Sequence, residues 1–484
     1  MKKKFLKIVS FVLVFALTIT AYMSALDFKY LDSVFKFDAF YELPENSVDV
    51  LVLGSSHAYQ GINTAVMWRE YGYSAFNLCG AAQPLWNTYY YLEEALKTQT
   101  PKVIILDIYY MHYSSEYSES SFAIKNTYGM KWSDNKKEAI EVSFDHTTTG
   151  IQYYIEALQY HSRYSDLNKT DFYPYQANKD MYENHKGFYC YFRSEALKER
   201  DLSGVKYYNE VTDKTMFYYR MILELAKSKG IPVIVTAIPF DAENYHQGIF
   251  NTVEAATVGV YDVAFINFLT DYKAAAGIDY SKDFADKQHL NFMGNTKITR
   301  FLGDYIKAHY DVPDNRGNEY YESWDKDAQV YYNQLENYQA THKQNITDYV
   351  SVVSNPRYTT VVTLATADTK KLSICKPLLN LIAPEFKGKT GVWIIENNEI
   401  VYFREGLEHG FSKSYTLGRT DGVLVKSVDK VFEDGTPITV NEVYFNKQKK
   451  SSIDHGVNIL VYDNFTQSIV DAVYIDFDTG KFKR

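Results

Sequence analysis

Three short apolar runs constrain this chain more than any other feature. They are "VDVLVLG" (Val48–Gly54), "KVIILDI" (Lys102–Ile108) and "IPVIVTAIP" (Ile231–Pro239). Each is too short for a buried helix, is bounded by turn residues, and shows no alternation of polar and apolar positions. That pattern belongs to strands covered on both faces, as in a parallel sheet. Segments of helical spacing lie between and after them: Leu85–Gln99, Thr212–Gly230 with a capping Thr or Asp and a closing Gly, and Asn291–Tyr310. Strand–helix alternation predicts an α/β fold with its site beyond the carboxyl ends of the strands.

The rest of the chain departs from this rhythm. Between about 113 and 205 it gives way to Tyr, Ser, Asn and Lys, which reads as an insertion, a lid or a substrate-contacting subdomain, with short helices in "KKEAIEVSF" and "GIQYYIEALQYH". A cluster of Pro, Asn, Gly and acids near Asp311–Asp325 marks a break, and a helical stretch follows at roughly Ala328–Asn345. From Tyr349 onward, short β segments separated by turns ("YTTVVTLATAD", "GVWIIENNEIVYF", "GVLVKSV", "TVNEVYF", "GVNILVYD", "IVDAVYIDFD") predict a β-rich α+β domain with one helix near Lys376–Ala383. The expected organisation is therefore 1–26 cytoplasmic tail and transmembrane anchor, 27–47 connector, 48–312 α/β domain, 313–348 linker and helix, and 349–484 C-terminal domain.

At the N-terminus, "MKKKF" precedes Ile8–Leu26, 19 residues without a charge. That length spans a bilayer, and the leading lysines keep the tail in the cytoplasm, so the bulk of the chain is expected outside the cell membrane on a single-pass anchor. A cleaved signal peptide is the competing reading, but the apolar stretch is long for one and lacks an A-x-A site. A net charge of -9 argues against nucleic acid as a partner. Cys79, Cys190 and Cys375 are widely spaced and odd in number, which implies neither a disulfide framework nor a CxxC metal site. His112, His185 and His246 show no metal spacing, so neither metal nor organic cofactor is expected. The 45 tyrosines suit partly wet grooves and carbohydrate-facing surfaces, or reflect a compositional bias of the lineage.

The chemistry is concentrated in two motifs. "GSSH" (Gly54–His57) ends the first strand, where a serine projects into the crevice. A serine hydroxyl needs a base to become a nucleophile. His57, next to Ser56, is expected to point away and to line the site. Far downstream, "DFADKQHLN" places Asp286 and His289 in a D-x-x-H step that lets the carboxylate orient the imidazole. Asp283 is a less well placed alternative. Taken singly, these residues also suit blander roles: a strand-end turn capping a helix for Ser56, a helix-start histidine for His289, and an acid offsetting a helix dipole for Asp286.

Together, GSSH and DKQHLN resemble the SGNH/GDSL hydrolase superfamily. The closest likeness is to its membrane-anchored branch, which includes the D-alanyl-lipoteichoic acid biosynthesis protein family and polysaccharide O-acetylation proteins. The resemblance covers roughly Val48–Tyr310 and implies an SGNH-type, flavodoxin-like parallel sheet flanked by helices. It implies Ser56 as nucleophile, His289 as base and Asp286 as its orienting acid. "FNLCGAAQ" (Phe76–Gln83) resembles the family's second block, which implies oxyanion N–H donors from Gly80 and Ser56. The third-block Asn is missing, since the second predicted strand ends "LDIYYMH"; Asn77, Gln83, Tyr109 or His112 stand as substitutes or site lining. The implied activity is serine-dependent esterase or O-acyltransferase chemistry, with O-acetyl as the expected group. The implied substrate is a cell-envelope polysaccharide or teichoic-acid-like acceptor, and the implied partner a membrane-bound O-acyltransferase. The alternative is a catalytically weakened, SGNH-like scaffold within a glycan-modifying assembly. A glycosidase is disfavoured, as no carboxylate pair stands out. The C-terminal segments resemble the interleukin-like EMT inducer domain in their hydrophobic pattern, which would imply binding.

Overall fold

In the computed structural model, the described residues are 2–26, 36–145, 150–155, 158, 160–167, 171, 185–432 and 434–484. Residues 27–35 of the 27–47 connector, and 146–149, 156–157, 159, 168–170 and 172–184 of the 113–205 insertion, therefore lie outside the described residues. The chain divides into two compact units, Met1–Tyr332 and Asn333–Arg484, parting within the helix Glu322–Thr341.

The first unit begins with the helix Lys2–Leu26, long and apolar enough to cross a membrane, a test that a signal sequence also passes. Beyond it lies a five-stranded sheet: β1 (Val50–Leu53), β2 (Ala75–Asn77), β3 (Val103–Asp107), β4 (Val233–Ala237) and β5 (Ala264–Asn267). The order is β2-β1-β3-β4-β5 and every pairing is parallel. Every residue of β1, β3 and β4 is buried, as their uninterrupted apolar runs require. The flanking helices cover both faces. Helix Asp213–Ser228 starts where the Thr212 side chain accepts from Thr215 N–H, and the chain leaves it through Gly230 at φ +67°. The final helix of the sheet, Phe292–His309, starts on Asn291, whose side chain accepts from Met293 and Gly294 N–H. In this order strands are added to one side of β1 first and then to the other, so the winding switches between β1 and β3, the place where such sheets open a crevice at their carboxyl ends.

Between β3 and β4 the described insertion contains helices Ser120–Thr127 and Asp134–Ser143. It returns as an extended strap over about 185–200, with little regular structure of its own. The strap makes its backbone bonds to other elements instead. Tyr189 N–H donates to Tyr59 O (2.9 Å), Phe292 N–H to Tyr191 O (3.1 Å), Glu195 N–H to Phe284 O (2.8 Å) and Leu197 N–H to Tyr280 O (2.8 Å). It thereby ties the segment after β1 to the loop before the last helix.

The second unit has a six-stranded and a four-stranded antiparallel sheet. The larger one comprises β6 (Tyr358–Ala365), β7 (Thr390–Glu396), β8 (Glu399–Glu405), β13 (Gly456–Asp463), β14 (Ser468–Asp476) and β15 (Phe482–Lys483). The smaller comprises β9 (Ser412–Leu417), β10 (Asp421–Val431), β11 (Pro437–Phe445) and β12 (Gln448–Lys449). Alternate residues of β7 serve different faces. Trp393 and Ile395 pack with the helices Ile346–Val353 and Lys376–Ile382, whereas Val392 and Ile394 pack with Val423, Val425 and Val443 of the smaller sheet. The fold is α/β followed by a β-rich α+β unit, as the sequence predicts.

Candidate active site

Gly54 leaves β1 at φ +145°, a conformation that side chains oppose, and a Cβ there would stand 3.0 Å from those of Ala58 and Asp107. The chain can therefore turn sharply enough to start the short helix Ser56–Gly61 directly above the strand. The two serines diverge at this turn. Ser55 is 1% exposed and its Oγ has no hydrogen-bond partner among the described residues. Ser56 is partly exposed and its Oγ lies 3.0 Å from His289 Nε2.

His289 Nδ1 is 2.9 Å from Asp286 Oδ1, which also accepts from the N–H groups of Gln288 (2.9 Å) and His289 (3.0 Å). With Nδ1–H donated to the carboxylate, Nε2 is the free acceptor facing the serine hydroxyl. Asn291 holds this loop in place. Its Nδ2 donates to Lys282 O (2.6 Å) and Phe284 O (3.2 Å), while its Oδ1 caps the following helix. Asp283, the alternative acid, is buried and paired with Lys297 Nζ at 2.6 Å. The structure brings Ser56, His289 and Asp286 into one hydrogen-bonded chain.

The electrostatics suit a base. Burial holds the His289 imidazole below its ordinary pKa; Asp286 opposes that shift and the Arg193 charge adds to it. Partial burial works to raise the Asp286 carboxyl, but the Gln288 N–H, His289 and Arg193 outweigh it and hold it low. His289 is therefore neutral, and Asp286 ionised, near neutral pH.

His57 is buried against the Tyr109 ring, with centroids 3.2 Å apart and planes 14° apart, and its centroid lies 5.1 Å from that of His289. Among the described residues, neither of its ring nitrogens has a hydrogen-bond partner. Burial, then the charges of His289, His112 and His246, hold its pKa far below the usual histidine value, so it is neutral. Tyr109 comes just after β3. Its phenol is pushed up to about 12 by burial and then by Asp107 and Asp286. His112 meets Tyr109 edge-on, ring centroids 4.7 Å apart, and meets His246 at 5.2 Å. Asn77 is enclosed, and its Nδ2 donates to Ile62 O at 2.7 Å. Gln83 is also enclosed, with Nε2 donating to Thr88 Oγ1 at 2.9 Å.

Gly80 sits in a loop held from below. A Cβ at this position would overlap the Asn126 side-chain amide, and Asn126 Nδ2 donates to Ala81 O at 3.0 Å. Ala82 takes φ +47°, an uncommon conformation that the surrounding contacts maintain. Among the described residues, no acceptor takes the N–H of Gly80 or of Ser56. Beneath the site, burial raises the Asp107 carboxyl to about 7, against the N–H groups of Ile238 and Tyr109 that it accepts. Among the described residues, no group of three or more His, Cys, Asp or Glu is placed to hold a metal.

Two residues of this region carry no signal in the sequence. Asn126 comes from the insertion and holds the Gly80 loop. Arg193 comes from the strap and meets Asp286. Neither lies near a recognisable motif, and only the return path of the insertion brings them in.

No protein-family model matches this chain, and no curated protein matches it. Among solved structures it is similar to a candidate acylhydrolase from Bacteroides fragilis, with 13% identity and a TM-score of 0.29, over 58% of this chain and 99% of the other. A score that low lends no support to any function, so the functional reading rests on the site.

Proposed function

We propose that this chain is a serine-dependent O-acyl esterase or O-acyltransferase, with Ser56 as nucleophile, His289 as general base and acid, and Asp286 as the orienting carboxylate. The observation that carries this is the relay from Ser56 Oγ to His289 Nε2 and from His289 Nδ1 to Asp286 Oδ1, at 3.0 and 2.9 Å. Ser56 Oγ adds to the acyl carbonyl as His289 takes its proton. The imidazolium, held by Asp286, then protonates the leaving sugar oxygen. An acyl-enzyme results, and water or a second hydroxyl accepts the acyl group. The N–H groups of Ser56 and Gly80, which no acceptor among the described residues takes, are the proposed oxyanion donors, each contributing about 2.7–4 kcal/mol to such a step.

The substrate we favour is an O-acetylated cell-envelope polysaccharide or teichoic-acid-like polymer. The chain would be anchored by the Lys2–Leu26 helix and work beside a membrane-bound O-acyltransferase. The family resemblance of the GSSH and DKQHLN motifs supports that part of the reading.

The test is turnover of an activated acetyl ester by the detergent-solubilised full chain. Ser56→Ala is expected to lower kcat by about a thousandfold or more. Unchanged turnover would refute the assignment, as would fluorophosphonate labelling at a residue other than Ser56.

A further inference from the structure

Asp286 offers two oxygens, and the site uses them differently. Oδ1 takes three donors from its own loop, including His289 Nδ1. Oδ2 takes Arg193 Nη2 at 2.7 Å, from a residue 93 positions earlier in the chain. The guanidinium is fixed at two further points. Its Nε donates to Ala285 O at 3.1 Å, and its carbon lies 4.5 Å from the centroid of the Tyr191 ring. Although its side chain is 60% exposed, it is bonded to the acid, to the loop that bears the acid, and to an aromatic face. The Tyr191 ring in turn lies 6.1 Å from that of His289, and the Tyr191 carbonyl accepts the Phe292 N–H.

We propose that Arg193 is a positioning residue of the Ser56–His289–Asp286 relay: by holding Asp286 through the oxygen that His289 leaves free, it fixes the plane of the carboxylate that orients the imidazole. This rests on the functional reading above. The physics has two parts. A carboxylate held on one edge only can rotate about its Cβ–Cγ bond, and a second, charge-assisted bond on the other edge restricts that rotation. The guanidinium also shares the negative charge that would otherwise stabilise the imidazolium. The groups facing His289 are Asp286 in its own loop, Arg193 and Tyr191 on the strap, His57 and Ser56 on the helix after β1, and, through Asp286, Tyr109 after β3. Arg193 is the one permanent cation in this set, and its charge lowers the His289 pKa. Activity appears as His289 loses its proton. Removing the arginine must therefore move the acid limb of the pH–rate profile upward, whereas a merely structural defect would lower the rate without moving the limb.

The experiment compares wild type, Arg193→Gln and Arg193→Lys as detergent-solubilised full chains, by kcat/KM for p-nitrophenyl acetate across pH. The His289 ring is titrated by NMR in parallel, a readout that needs no turnover. Arg193→Gln is expected to raise the acid-limb pKa by about half a unit and to lower kcat roughly tenfold. Arg193→Lys keeps the charge and loses the fork, so its limb stays with wild type while kcat falls. Arg193→Met, which keeps a stem on the Tyr191 ring, replaces the Gln variant if that fails to fold. A limb and a His289 titration that coincide with wild type in the uncharged variants would overturn the proposal. Unchanged turnover in Ser56→Ala would instead overturn the functional reading, and the NMR titration would still decide whether Arg193 governs His289.

Discussion

At the residue scale, the site sorts neighbours that look alike in sequence. Ser55 and Ser56 differ because the turn after Gly54 buries one and aims the other at His289. His57 and His289 differ in the same way. His57 has no hydrogen-bond partner among the described residues and stacks on Tyr109, whereas His289 is bonded at both nitrogens. A buried ring with two unsatisfied nitrogens carries a desolvation cost that an apolar ring of similar shape avoids. His57→Phe is therefore expected to leave the thermal midpoint unchanged or raise it, by the equivalent of about 1–3 kcal/mol at most. A fall of several degrees in calorimetry would mean that an imidazole nitrogen is bonded after all.

At the element scale, the site depends on how β1 ends. Gly54→Ala would place a Cβ against those of Ala58 and Asp107 at a φ that side chains resist. Both neighbours belong to tightly packed elements, so the helix that carries Ser56 must shift. The expected cost is about 1–3 kcal/mol in urea unfolding, with loss of ester turnover beyond what the unfolded fraction explains. Full activity in a folded Gly54→Ala protein would contradict this account of the turn. Much of this framework is legible in the sequence, because β1, β3 and β4 are uninterrupted aliphatic runs and Asn291 caps its helix in the usual way. Ser56, Asp286 and His289 likewise stand in quotable motifs. β2 and β5 are short, three and four residues, and end on Asn77 and Asn267; β2 has only Ala75 and Phe76 before its Asn, and the apolar run of β5, Val263–Ile266, is a short one. The strap is legible only as lost periodicity. An extended segment that bonds to loops rather than to a ladder leaves no periodic pattern, and so the Arg193–Asp286 pairing could not be read from spacing.

At the scale of the whole molecule, the chemistry and the second unit are separate. Ser56, Gly80, Asn126, Arg193, Asp286 and His289 all lie within 1–332. The unit from Asn333 to Arg484 has its own core, built on both faces of the larger sheet. A part-buried ion-pair group also lies within it. Arg357 joins Glu336 (2.6 Å) and Asp463 (2.5 Å), which ties its first helical residues to β13. Residues 333–484 are therefore expected to fold alone. Trp393 is the single tryptophan of that stretch, fully buried between the larger sheet and its helices, so its fluorescence reports this core and nothing else. The isolated segment should show blue-shifted emission and one cooperative urea transition, with an m-value of about 1–3 kcal/mol/M. Red-shifted emission without a transition would show that the second core depends on the first unit. A folded segment with no ester turnover, beside a first unit that retains it, would assign all of the acyl chemistry to the parallel-sheet unit.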